Sequence, residues 1–165
     1  MSRFSKGERA GVGVVFGMAG VSGTGKTFGA LRTARGLAAD PGDDLNDPAT
    51  LERVDAHIAV IDSERGRALH YAVAPGELPT PFVPRVGAKF GFFHAPIEAP
   101  FTPDAYRELI TEADEMKDAA GKPRFRVIVV DSASHEWDGE GGCHDMHDEE
   151  AERLVAQALK PASRN

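Results

Sequence analysis

Eight consecutive residues, Gly20-Val-Ser-Gly-Thr-Gly-Lys-Thr27, have the types and the spacing needed to hold a chain of phosphates. Gly20, Gly23 and Gly25 allow backbone angles and a close approach that a side chain would block, so successive N–H groups can point at phosphate oxygens. Lys26 brings a point charge to the β- and γ-phosphates, and the Thr27 hydroxyl is a ligand for Mg²⁺. The apolar run Val12–Ala19 directly before them predicts a strand that feeds the loop. The residues after it predict a helix whose positive end faces the same anion. The nucleotide-cradling set is then Gly20, Val21, Ser22, Gly23, Thr24, Gly25, Lys26, Thr27 and Phe28. A glycine-rich turn without a ligand is the bland alternative.

Two carboxylates extend the pattern. Val127-Ile-Val-Val-Asp131 has the form of a Walker B strand, which delivers a carboxylate to the Mg²⁺ held by Thr27; otherwise Asp131 is an ordinary strand-end acid. Ile61-Asp62 is followed by Ser63-Glu64-Arg65-Gly66-Arg67, so Glu64 leaves the sheet at the edge where a nucleotide would sit. There it can orient and deprotonate an attacking water, or it can pair on the surface with Arg65 or Arg67. Glu64 and Lys26 are thus the candidate catalytic residues, and Thr27 and Asp131 the candidate Mg²⁺ residues. His135 and Trp137 lie just past the second strand, where they form either a pocket or subunit contact or simple packing over the sheet end. Cys143-His-Asp-Met-His-Asp148 carries metal-ligand types at no zinc spacing, and an acidic loop leading into a helix explains it more cheaply.

These residues need a frame. Helical periodicity covers Lys26–Ala39 and stops at Asp40-Pro41-Gly42. A surface excursion with a short helical turn near 48–54 follows, then a buried strand at His57–Asp62. The proline-rich connection holding Pro75, Pro79, Pro81 and Pro84 reads as a surface loop. Phe90–His94 predicts another strand, and Thr102-Pro103-Asp104 a capped helix running to about Ala119. Phe125–Asp131 is the clearest strand, Gly139–Gly142 a loop, and the last helix should cover about 147–159 and end at Pro161. The alternation is that of an α/β fold with a parallel sheet flanked by helices.

Composition bounds the rest. A chain of 165 residues with 41% hydrophobic residues is one domain's worth, read as a single nucleotide-binding domain over 1–165 with its core at about 11–160. The net charge is −7, and residues 131–155 hold nine acids against Arg153 alone. Such a balance is a poor grip on a phosphate backbone, so nucleic acid would need a local patch. Arg3, Lys6 and Arg9, or Lys122, Arg124 and Arg126, are the candidates, if they are not simply solvated. Cys143 is the only cysteine, which excludes a disulfide framework, and no stretch approaches the roughly 20 apolar residues that span a bilayer. The expectation is a soluble cytoplasmic protein without a membrane partner.

The order Gly20–Thr27, Ile61-Asp-Ser-Glu64 with Tyr71-Ala72, Phe92-Phe-His-Ala-Pro96 and Val127–Ser132 resembles RecA-type recombination ATPases. The likeness is closer to the RecA-like P-loop ATPases of bacteriophages, through Ala99-Pro-Phe-Thr-Pro103 and Asp131-Ser-Ala-Ser-His-Glu-Trp137 followed by glycines. It covers about residues 12–150. The resemblance implies Mg²⁺-dependent hydrolysis of ATP to ADP and phosphate, with Glu64 as catalytic glutamate, Lys26 and Thr27 on phosphate and Mg²⁺, and Asp131 as the Walker B residue. It further implies a place in DNA recombination, annealing or replication, single-stranded DNA as a partner, and homo-oligomers in the complete protein. One departure stands out. Family members continue past the last helix into a strand lying between the loop strand and the Walker B strand, and no such strand follows here, so the fold is expected to be incomplete in its C-terminal half: a truncated product, a fragment, or a variant whose two motif strands pair directly. The rival readings are a non-hydrolysing nucleotide-binding module and a small-molecule or nucleotide kinase, for which Arg65, Arg67 and Arg85 would be the lid candidates.

Overall fold

The computed structural model describes residues 13–159. Expectations that fall on Val12, on Arg3, Lys6 and Arg9, and on Pro161 lie outside the described residues. The frame is a three-stranded parallel sheet in the order β2-β1-β3, built from β1 (Ile58–Asp62), β2 (Phe93–Pro96) and β3 (Val127–Asp131). Five α-helices and a 3-10 turn at Arg67–Tyr71 accompany it among the described residues: α1 (Lys26–Ala38), α2 (Pro48–Asp55), α3 (Pro103–Glu115), α4 (Ser134–Asp138) and α5 (Cys143–Ala158).

Every residue of β1 is buried, as a central parallel strand covered on both faces requires. Alternation then sorts the side chains. Ile58 and Val60, with their register partners Val127 and Val129, pack with Leu31, Ala34 and Ala38 of α1 and Val54 of α2. Ile61, Ile128 and Val130 face the other way, onto Tyr106, Ala105 and Leu109 of α3. The result is a helix–sheet–helix sandwich, and the register that sets it also aligns Asp62 beside Asp131 at the carboxyl ends of neighbouring strands.

Several boundaries differ from the sequence expectations, each for a local reason. The strand expected over Val12–Ala19 is absent over 13–19: this segment makes no ladder, and Val14, Val15 and Phe16 are 87%, 100% and 65% exposed. A strand is not a local structure, because its hydrogen bonds come from a neighbour. Among the described residues β3 pairs with β1 alone, so the two motif strands do not pair directly. The edge strand begins at Phe93 rather than Phe90; Phe90 is instead fully buried and bridges to Ala72. Helix α3 ends at Glu115, short of Ala119, because the Asp118 carboxylate accepts the N–H groups of Ala120 (2.8 Å) and Lys122 (2.9 Å) and turns the chain. The opposite happens at α5, which starts at Cys143 rather than about 147. There the Asp145 carboxylate reaches back to the Gly141 N–H at 2.8 Å and organises the first turn.

Helix starts use one device twice: Thr102 and Asp47 accept the N–H groups of Ala105 and Thr50, each followed by proline at the first helical position. Asp40, Asp43 and Asp47, in the acidic stretch before α2, have carboxyls below their ordinary value of 3.8. The Thr50 hydroxyl and N–H hold down Asp47, Arg53 holds down Asp43, and Arg126 holds down Asp40. Depressed carboxyls stabilise the fold fully above their unfolded value, and that contribution disappears as pH falls through the lowered native values. Wild-type protein should therefore lose stability on acidification below about pH 4, as measured by far-UV circular dichroism in a urea series. Asp47→Asn, which keeps the cap but cannot titrate, should show a shallower loss; an identical slope would exclude the cap from the acid response.

Candidate functional site

The Gly20–Thr27 loop turns on the residues that its sequence singled out. Gly23 and Gly25 both sit at φ +80°, in the left-handed region, and Gly25 is the residue from which α1 starts. At Gly20 the constraint is space, since a Cβ would lie 3.2 Å from the Thr24 hydroxyl. Lys26 curls over the loop and donates from Nζ to the carbonyls of Gly20 (2.8 Å) and Val21 (3.0 Å), while the Thr24 hydroxyl donates to Val21 at 2.8 Å. The first intrahelical bond runs from the Gly29 N–H to the Gly25 carbonyl at 2.8 Å. The amides of Lys26, Thr27 and Phe28 thus stand ahead of the ladder at the positive end of a 13-residue helix. Phe28 can serve the loop only through that backbone. Its ring packs inward against Tyr71, Phe90 and Phe82 at centroid distances of 5.5, 5.9 and 6.0 Å.

The decisive long-range contact joins the loop to the sheet. Thr27 Oγ1 donates to Asp131 Oδ2 at 2.7 Å across 104 residues of sequence, so the first turn of α1 stands directly on the carboxyl end of β3. The neighbouring strand end contributes the second carboxylate. Asp62, 1% exposed, accepts the N–H groups of Glu64 (2.7 Å) and Ala68 (3.0 Å) and meets His94 Nε2 at 3.2 Å. That buried acid folds the segment after β1 back over the sheet edge. Glu64 emerges from it with Oε2 on Arg67 (3.0 Å) and Oε1 on the Ser132 hydroxyl (3.3 Å), one residue past Asp131. Lys26, Thr27, Asp131 and Glu64 therefore belong to one edge, linked through Thr27–Asp131 and Ser132–Glu64.

Sequence reasoning missed the layer beneath. Ser63 is 2% exposed, and its Oγ accepts the Ser132 N–H (3.0 Å) and lies 3.0 Å from the Ser132 carbonyl and 2.8 Å from His135 Nδ1. The Tyr106 hydroxyl also donates to the Ser132 carbonyl at 3.2 Å, and burial pushes its phenol above the ordinary 10.0, so it stays a donor at working pH. The available signal was positional: Asp62, Ser63 and Ser132 directly follow apolar strand runs, where side chains from adjacent strands converge. His135 joins this network and stacks on Phe101 at 5.0 Å. Trp137 does not; it is 62% exposed and meets His144 of α5 edge-on at 5.0 Å.

The chain matches no family model, no curated protein and no solved structure. Several of the remaining sequence candidates make contacts within the fold. Arg124 lies over the Phe93 ring at 4.6 Å, and Arg126 donates to the Ala38 carbonyl (2.9 Å) and to Asp40 (2.7 Å). Arg85 occupies a tight turn at φ 69°, closed by the Val83–Gly87 bridge. Arg67 alone of the lid candidates pairs with a site residue. Among the described residues no group of three or more His, Cys, Asp or Glu can hold a metal ion, the Cys143–Asp148 segment included. No described helix is long and apolar enough to cross a membrane.

Proposed function

We propose that this chain binds Mg·ATP at the Gly20–Thr27 loop and hydrolyses it, as a RecA-like P-loop ATPase. The observation that carries the reading is the 2.7 Å bond between Thr27 and Asp131, which brings the two hard oxygen donors to one point beside the loop amides. Both types suit Mg²⁺, which takes a few protein oxygens and completes its octahedron with phosphate and water. A bound Mg²⁺ would offset negative charge on the β- and γ-phosphates. The loop amides and Lys26 would bind and orient the same phosphates, Lys26 exchanging the Gly20 and Val21 carbonyls for phosphate oxygens. Glu64 would accept the proton of a water whose oxygen attacks the γ-phosphorus as the bond to the β–γ bridging oxygen breaks, releasing ADP and phosphate.

The resemblance extends the reading to a phage-type protein of DNA recombination, annealing or replication that assembles with copies of itself. A test on the purified chain measures binding of a fluorescent ATP analogue with Mg²⁺, and phosphate release with and without single-stranded DNA. Lys26→Ala should weaken binding at least about tenfold and abolish turnover. Equal binding by wild type and Lys26→Ala would overturn the assignment of the loop. A second reading draws on the Arg67–Glu64 pair, which occupies one oxygen of the base: a nucleotide-dependent module that binds without turnover. Tight binding with no phosphate released under either condition would favour it. The kinase reading would show as phosphate moving to an acceptor instead of water.

A further inference from the structure

Glu64 meets two donors, Arg67 at 3.0 Å and Ser132 at 3.3 Å, that differ in how firmly they are anchored. Arg67 reaches Oε2 from a half-exposed position, and such surface pairs at i,i+3 are weak and screened by salt. Ser132 reaches Oε1 from the part-buried side. Its own backbone is fixed at both ends: the N–H donates to Ser63 Oγ, and the carbonyl accepts from the Tyr106 hydroxyl. Ser63 is fixed in turn by His135, whose ring lies within 24° of parallel on Phe101.

We propose that Ser132 is the positioning residue that aims Glu64, and that Ser63, just after β1, holds Ser132 in place and is itself held by His135 of α4. The inference rests on the reading of Glu64 as the water-orienting base. The arrangement is robust to the proton on the histidine. With a bare Nδ1, Ser63 donates its single proton to the ring; with a hydrogen on Nδ1, the ring donates to Ser63, and the Ser63 proton turns to the Ser132 carbonyl at 3.0 Å. In both arrangements Ser63 Oγ still accepts the Ser132 N–H. The hydroxyl that faces Glu64 is therefore carried on a peptide clamped from β1, α3 and α4, whereas Arg67 hangs on a flexible stem. Movement of α4 would reach Glu64 through this clamp and through no other contact described for that carboxylate.

The test pairs kinetics with a readout that does not need turnover. Ser132→Ala should keep KM for Mg·ATP within about twofold and lower kcat about tenfold, equivalent to about 1.4 kcal/mol. Ser132→Thr, which keeps a hydroxyl, should recover most of that loss. His135→Ala should lower kcat about threefold, and His135→Asn, whose amide can meet Ser63, should recover it. In ¹³C-labelled protein the Glu64 side-chain carboxyl resonance should move in both alanine variants and return in Ser132→Thr and His135→Asn. Arg107→Ala, on the exposed side of α3, should leave both readouts unchanged. A wild type that binds nucleotide but releases no phosphate sinks the hydrolase reading, and the resonance then decides the positioning role by itself. An unmoved Glu64 resonance in Ser132→Ala, equal kcat losses in the Ala and Thr variants, or a raised KM at constant kcat overturns the proposal.

Discussion

Glu64→Gln should leave Mg·ATP binding within about twofold of wild type and lower phosphate release about 10²–10⁴-fold, the range a positioned general base contributes. The asymmetry follows from where Glu64 sits. No hydrogen bond or ion pair joins its side chain to the described Gly20–Thr27 loop; its polar partners are Arg67 and Ser132. Losing its charge therefore removes no phosphate ligand. Glutamine is nearly isosteric and can still accept from Ser132, so the fold around Asp62 and Ser63 is preserved while the proton acceptor is lost. Binding and single-turnover phosphate release, measured on the same preparation, separate the two effects. Unchanged hydrolysis would remove Glu64 from the chemistry, and lost binding would make it part of the phosphate cradle instead.

Asp55→Ala should cost about 3–5 kcal/mol of folding stability, the largest effect expected from a single change away from the site. Asp55 is fully buried, and Arg35 is 5% exposed. The two form a bidentate pair, Nε to Oδ1 at 2.8 Å and Nη2 to Oδ2 at 2.6 Å. Arg35 also donates to the carbonyls of Thr80 (2.9 Å) and Lys89 (2.7 Å) and lies over the Phe90 ring at 4.1 Å, while Asp55 accepts the Gly91 N–H at 2.8 Å. One pair thus ties α1, the end of α2 and the proline-rich connection together. Removing the acid strands a buried guanidinium and an amide, and a loss of that size is a large part of the roughly 5–15 kcal/mol available to a domain. Arg35→Met with Asp55→Leu should be far milder, because no charge is left unpaired. Urea denaturation followed by far-UV circular dichroism is the suitable measurement, since Trp137 is too exposed to report on the core. A loss below about 1 kcal/mol in Asp55→Ala would show that the pair is not a structural clamp.

Nothing in the sequence marks this pair. Arg35 reads as the polar face of a helix and Asp55 as the end of an acidic surface excursion. Their burial depends on the connection after residue 78 closing over them, which periodicity does not encode. The loop is the opposite case. Glycines at 23 and 25 are needed for φ +80° wherever the rest of the chain lies, and helix α1 follows from local periodicity and a glycine start. Strand β1 was legible because a strand buried on both faces must be apolar without interruption, and β3, half-buried beside it, was legible from its unbroken run of β-branched residues. The run over 13–19 is equally apolar, yet it forms no strand among the described residues, since pattern specifies competence for a ladder and only a neighbour supplies the bonds.

The sequence by itself determined the glycine-rich loop, the two apolar strands with acids at their ends and the helix after the loop, because each depends on residues adjacent in the chain. Tertiary structure alone decided that Thr27 meets Asp131, that Asp62 is buried and bends the Glu64 segment, and that Ser63, Ser132 and His135 converge beneath it. Those contacts span from two to 104 residues of sequence. The long ones exist only because parallel pairing sets β1 and β3 in register and brings their carboxyl ends side by side.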